Sequence, residues 1–193
     1  MVEHKLVCRS VWLGAAVIGA AVAAGCGGRP VTGHPVSATN EQSTTDASPA
    51  RPRELRLDGR DPCATVPRSQ WATFSIEVAV PEQDPTLHSP ACFFNSSKAA
   101  MGIVLVVTEG IDAWAGGRRP AKPADVAPIE GFPAISLKRP ANDSSCQIAV
   151  DVAQGQYLMA SVVIDLNDMD TVPERCVWAH QFAEVAMKTL VGS

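Results

Sequence analysis

Four cysteines in the body of this 193-residue chain, Cys63, Cys92, Cys146 and Cys176, are the side chains whose type and spacing most plainly imply chemistry. Stretches of 28, 53 and 29 residues separate them in turn, so no C-x-x-C occurs. That spacing argues against a zinc site or a thioredoxin-like redox pair, and an even number of thiols points to two structural disulfides in an oxidising compartment. Other candidates are sparser. His180 and Glu184 stand at i, i+4 and could touch a cation, but with no third ligand in the sequence pattern a surface polar contact is the plainer reading. His88 is the other histidine of the domain, and no motif surrounds it. Asp165, Asp168 and Asp170 have a spacing similar to a calcium loop, yet the Gly at the sixth position and the closing Glu are missing, so a solvated turn is expected. Asn95-Ser96-Ser97 fits N-x-[ST] but reads as a plain turn. No G-x-S-x-G elbow places a serine nucleophile. Trp114 with Arg118, Arg119 and Lys122 is the candidate ligand lip, because an aromatic beside cations suits sugars or anionic head groups. No catalytic residue, metal or cofactor is expected.

The first 26 residues say where those thiols would oxidise. Lys5 and Arg9 precede the uncharged run VWLGAAVIGAAVAAG from Val11 to Gly25, which is too short to span a bilayer comfortably and has the layout of a secretory signal. Ala23-Ala24-Gly25-Cys26 resembles the lipobox of bacterial lipoproteins, with Ala23 where that motif prefers Leu, and implies that Cys26 becomes a diacylated mature N-terminus. An uncleaved helical anchor, or a plain signal with an incidental Cys, is the alternative. The expected location is the outer face of the cell membrane. Removing residues 1–25 takes Lys5, Arg9 and Glu3 from 16 basic and 20 acidic residues, leaving 14 against 19 and a net charge of −5. That sign is wrong for nucleic acid and for adhesion to anionic lipid, so membrane attachment falls to the acyl chains.

The chain divides into a signal over 1–25, a lipidated Cys and flexible tether over 26–57, and one domain over 58–193. Residues 27–54 hold 14 Gly, Pro, Ser or Thr in 28 positions and no aromatic, too little apolar surface to offset ordering. Within the domain, Asp61-Pro62 starts a helix anchored by Trp71 and Phe74, with a restart at Val66-Pro67. Strands are expected at 91–95, 103–108 and 134–138, and Gly110 to Pro128 reads as a long loop. Cys146, Ile148, Val150 and Val152 alternate with polar or small residues, as do Leu158, Ala160, Val162 and Ile164. Placing both rows on one face sets Val150 opposite Leu158, Cys146 opposite Val162 and Val152 opposite Gln156, with Ala153-Gln154-Gly155 as the loop.

A helix follows from Val172 to Leu190, its apolar face carrying Cys176, Ala179, Phe182, Ala183, Ala186, Met187 and Leu190. The predicted class is therefore α+β: an antiparallel sheet of about five strands with an N-terminal and a C-terminal helix packed on it. Because Cys146 closes the hairpin end from which the chain enters the last helix, Cys146 is expected to pair with Cys176, which leaves Cys63 for Cys92. A ligand pocket between sheet and helix would be lined by Phe182 and Met187, and Ala149, Tyr157 and Met159 would face outward unless another layer covers them.

Taken in order, the lipoprotein-style signal, the Pro/Thr/Ser tether, Asp61-Pro62-Cys63 opening a helix, Cys92 followed by an aromatic pair, Gly131-Phe132-Pro133-Ala134, Cys146 leading a strand, and Cys176 opening a helix with Ala183 resemble the actinobacterial lipoproteins grouped as domain of unknown function 3558, over about residues 58–191. In that family a Leu-rich turn, Thr-Pro and an acid follow the Asp-Pro-Cys; Ala64 to Gln70 lacks the acid. The resemblance implies a surface lipoprotein of unassigned activity and hands over no catalytic residue. Three roles stand open: a non-enzymatic module binding a small ligand, lipid or protein; a hydrolase or transferase on envelope polymers, for which Asp151, Asp165, Asp168 and Glu130 would have to converge in a cleft; and a purely structural or assembly role.

Overall fold

The computed structural model describes residues 50–138, 144–164 and 173–193, all within one compact unit spanning Thr44–Ser193. Cys26, the signal, the tether as far as 49, and the cluster Asp165, Asp168 and Asp170 lie outside the described residues. The order of elements is three 3-10 turns (Cys63–Thr65, Arg68–Gln70, Ala72–Phe74), β1 (Ile76–Asp84), β2 (Ser89–Ser96), β3 (Ala99–Val106), the short α1 (Asp112–Ala115), β4 (Lys122–Ile129), β5 (Phe132–Lys138), β6 (Ser145–Ala153), β7 (Gln156–Ile164) and α2 (Arg175–Val191). The strands form one seven-stranded sheet in the order β1-β2-β3-β7-β6-β5-β4, every neighbouring pair antiparallel.

The hairpin of β6 and β7 forms as the alternation requires, with Val150 opposite Leu158 and Cys146 opposite Val162. Only the tip differs. A bulge between Asp151 and Ala153 puts Ala153, rather than Val152, opposite Gln156, and Gly155 takes the left-handed φ of 72° that the turn needs. β7 lies at the centre of the sheet, and β3, apolar on both faces, pairs on both sides with β2 and β7.

Two strands arise where none was expected. β4 occupies the second half of the segment read as a loop, and β1 follows the last 3-10 turn. Both are edges, where one side is solvated and the apolar alternation weakens. Pro123 and Pro128 in β4 and Pro81 in β1 are tolerated there because an edge strand has donors with no ladder partner to lose. In place of the expected N-terminal helix the chain makes three short 3-10 turns. Val66 is extended (φ −113°, ψ 92°) ahead of Pro67, whose own ψ of 150° starts the next turn, so no continuous helix can pass. The packed domain also begins before residue 58. Leu55 and Leu57 are buried, Leu55 donating its N–H to Val152 O (2.8 Å) and Leu57 to Gln156 Oε1 (2.8 Å). Arg51 Nη1 reaches both oxygens of Asp151 at 2.8 Å, and burial pushes that carboxyl above its ordinary pKa despite the guanidinium.

One face of the sheet packs on α2, whose stripe of Ala179, Phe182, Ala183, Ala186, Met187 and Leu190 is widened by buried Trp178. Phe182 meets Phe74 and Phe94 edge-on, with ring centroids 5.1 and 5.5 Å away. Phe182 and Met187 are therefore fully buried core, and neither lines the groove or the depression described below. The helix starts at Glu174, whose Oε2 accepts from Cys176 N (2.9 Å) and Val177 N (3.1 Å). Glu174→Ala strips this cap and is expected to cost about 1 kcal/mol, read as a lower urea midpoint at unchanged slope. The disulfides are Cys63–Cys92 and Cys146–Cys176, with Cα atoms 5.0 and 5.1 Å apart.

The other face carries a second core. Ala149, Tyr157 and Met159, candidates for an exposed patch, are buried under Leu87 and Trp114 together with Val104, Val106 and Leu137. The covering layer comes from the β2-leading turn and from α1, so the stretch after Gly110 is a lid on this core as well as a connection.

Candidate functional site

The expected lip does not form. Trp114 is 5% exposed and donates Nε1–H to Tyr157 Oη (3.0 Å) inside the second core. Arg118 pairs with Asp112 (2.8 Å), and Arg119 Nε with Glu109 Oε1 (2.9 Å). Tyr157 in turn donates to Glu109 Oε1 (3.2 Å), so an indole, a phenol, a carboxylate and a guanidinium form one chain of contacts that fastens the lid. Burial drives the Tyr157 hydroxyl well above the ordinary tyrosine pKa of 10.0, with Glu109 adding to the shift and the Trp114 hydrogen bond opposing it.

Tyr157 is the one tyrosine of the chain. Above pH 10 the unfolded phenol gives up its proton while the folded one keeps it, so the folded state binds more protons and stability falls with rising pH. Tyr157→Phe is expected to remove that alkaline slope. It also leaves the Trp114 N–H without its acceptor, at about 1–3 kcal/mol near neutral pH. Urea titrations of both proteins from pH 7 to 11 check the two effects together.

Of the carboxylates that would have to converge in an enzyme cleft, Asp151 is paired with Arg51, and Glu130 sits exposed at φ 50° in the turn between β4 and β5. His180 Nδ1 lies 3.4 Å from Glu184 Oε1 and its Nε2 3.4 Å from Ala127 O, along a shallow depression of about 460 Å³ beside β4. Among the described residues no three His, Cys, Asp or Glu side chains are grouped to hold a metal. Asn95 and Ser96, expected in a turn, are instead the last two residues of β2, with Asn95 paired to strands on both sides, and Ser97 begins the turn to β3.

A better site lies where the sequence reading saw only helix. Asp61 Oδ1 accepts from Cys63 N (2.9 Å) and Thr65 Oγ1 donates to Pro62 O, fixing the first 3-10 turn, which the disulfide to Cys92 ties to β2. Trp71 is half-buried rather than a core anchor. Its Nε1–H donates to Val66 O (3.2 Å), and the Arg68 guanidinium sits 4.2 Å from its ring centroid, a cation–π contact at i, i+3. Phe74 enters the core, and Ser75, in the left-handed region at φ 53°, turns the chain back into β1. Ile76 N–H then bonds to Trp71 O (2.9 Å).

The result is a groove of about 500 Å³ running along β1, with Val66, Pro67 and Trp71 on one side and Glu77, Val78 and Pro81 on the other. Val78 is 45% exposed, and Glu77 makes no ion pair among the described residues. An indole, aliphatic side chains, an unpaired carboxylate and an open strand edge are the equipment of recognition. The one signal in the sequence was Arg68 three residues ahead of Trp71, obscured by reading both into a helix.

No curated protein and no solved structure matches the chain. A family model described as "Protein of unknown function (DUF3558)" matches residues 21–189. The ordered cysteines, the Gly131-Phe132-Pro133 turn into β5 and the helix opened by Cys176 thus sit inside a match covering most of the sequence, and the chain belongs to that family of proteins of unknown function.

Proposed function

We propose that this protein is an exported lipoprotein, held by acyl chains on Cys26 at the outer face of the cell membrane, whose disulfide-stapled domain is a non-enzymatic binding module for a ligand, lipid or protein of the envelope. The groove beside β1 carries the binding half of this reading, since it is the place where an aromatic side chain, open aliphatic surface and an unpaired charge meet. The anchoring half is supported by the lipobox-like Ala23-Ala24-Gly25-Cys26 and by a Gly/Pro/Ser/Thr-rich run between it and the first core residue, Leu55. Two cystines fit the oxidising compartment beyond the membrane. Cys26→Ala tests the anchor: the variant is expected to appear in the soluble fraction or as an unprocessed precursor. Normal processing with unchanged membrane partitioning would contradict lipidation at Cys26.

A further inference from the structure

Resting on the reading of this groove as a binding site, we propose that its occupant is an extended basic segment of a partner protein, added as an eighth strand along the free edge of β1.

The edge itself is the first argument. β1 runs for nine residues and pairs on one side with β2. Between Glu77 and Gln83 no backbone hydrogen bond reaches it from the other side among the described residues. Alternate N–H and C=O groups of such a strand point outward, and Pro81 removes at most one donor. The groove follows this edge, so a strand laid against β1 would set alternate side chains on Val66, Pro67 and the Trp71 ring. Backbone pairing would supply affinity, and those contacts selectivity.

Charge selects the occupant. Glu77 and Glu82 are exposed on β1, and neither makes an ion pair among the described residues. The nearest cation in the groove, Arg68, is held over the indole. A strand with Lys or Arg on the face that meets Glu77, or on the face that meets Glu82, finds an unpaired carboxylate there. A second copy of this chain offers no such match: β1 carries Glu77, Glu82 and Asp84 and no Lys or Arg, so two β1 edges meet without a complementary charge.

Trp71 supplies the readout in protein that begins at Cys26 and so lacks Trp12, because Trp114 and Trp178 are buried, at 5% and 4% exposure, and report little from the surface. That mature protein, in detergent micelles, would be titrated with three octapeptides: four Lys-Val repeats, four Glu-Val repeats, and the Lys-Val peptide with its valine amides N-methylated. The Lys-Val peptide is expected to shift the Trp emission and to bind at least about tenfold more tightly than either of the others. Glu77→Lys with Glu82→Lys should transfer the preference to the Glu-Val peptide, and Trp71→Phe should abolish the optical change while calorimetry still records binding.

Equal binding of the N-methylated peptide would mean charge without strand pairing, and equal binding of the Glu-Val peptide would remove the charge argument; either overturns the proposal. So would self-association of the full chain that Val80→Pro abolishes, since a second copy would then hold the edge. Failure here leaves the outcome for Cys26→Ala untouched, so the occupant and the anchor are judged separately.

Discussion

Phe182→Ala is expected to lower the free energy of unfolding by about 3–5 kcal/mol, a large share of the stability of a domain this size. Phe182 is fully buried, on the stripe of α2 that faces the sheet, and its ring bridges Phe74 from the last 3-10 turn to Phe94 on β2. Truncation therefore opens a cavity where three separate elements meet, and none of their backbones can move in without breaking other packing. Urea denaturation followed by far-UV circular dichroism checks the value. A loss below about 1 kcal/mol would mean that α2 does not dock on the sheet through this residue.

Removing the first disulfide, as Cys63→Ser with Cys92→Ser, is expected to cost about 3–4 kcal/mol through the freedom regained by the unfolded chain. The bridged residues are 29 apart, and those of the second disulfide 30, so Cys146→Ser with Cys176→Ser should cost a similar amount. The two double variants part at the groove. Cys63 lines it and holds the first 3-10 turn to β2, so its loss should loosen the Trp71 side and shift Trp emission to the red in the folded state. The bridge from β6 to α2 leaves Trp71 alone. Equal emission from both folded variants would contradict the part given to Cys63 in shaping this wall.

Legibility in the sequence follows how many physical constraints fall on a residue at once. The β6–β7 register could be read because both strands are interior and a one-residue slip would turn Val150 and Leu158 away from α2. The cystine pairing followed from that register, since Cys146, near the start of β6, lies opposite Val162 at the sheet end from which the chain leaves β7 for α2. β1 and β4 were hidden for the converse reason: at an edge one side faces water, and Glu77, Pro81, Pro123 and Pro128 are acceptable there. Trp114 misled because an aromatic among arginines suits a ligand lip and a buried polar contact equally well, and only the fold brings Tyr157 under it. The groove itself depends on the chain breaking at Val66-Pro67 and reversing at Ser75, a left-handed non-glycine that no local pattern announces.

The anchored, disulfide-stapled module is tested most directly by the intact mass of the protein extracted from the membrane of the producing cell, without reduction. The account predicts a chain that begins at Cys26, carries a diacylglycerol thioether on that residue, and is four hydrogens lighter than the thiol form, two for each bridge. A mass that includes residues before Cys26, or a Cys26 free of lipid, would contradict the anchor, and four free thiols at Cys63, Cys92, Cys146 and Cys176 would contradict the stapled domain.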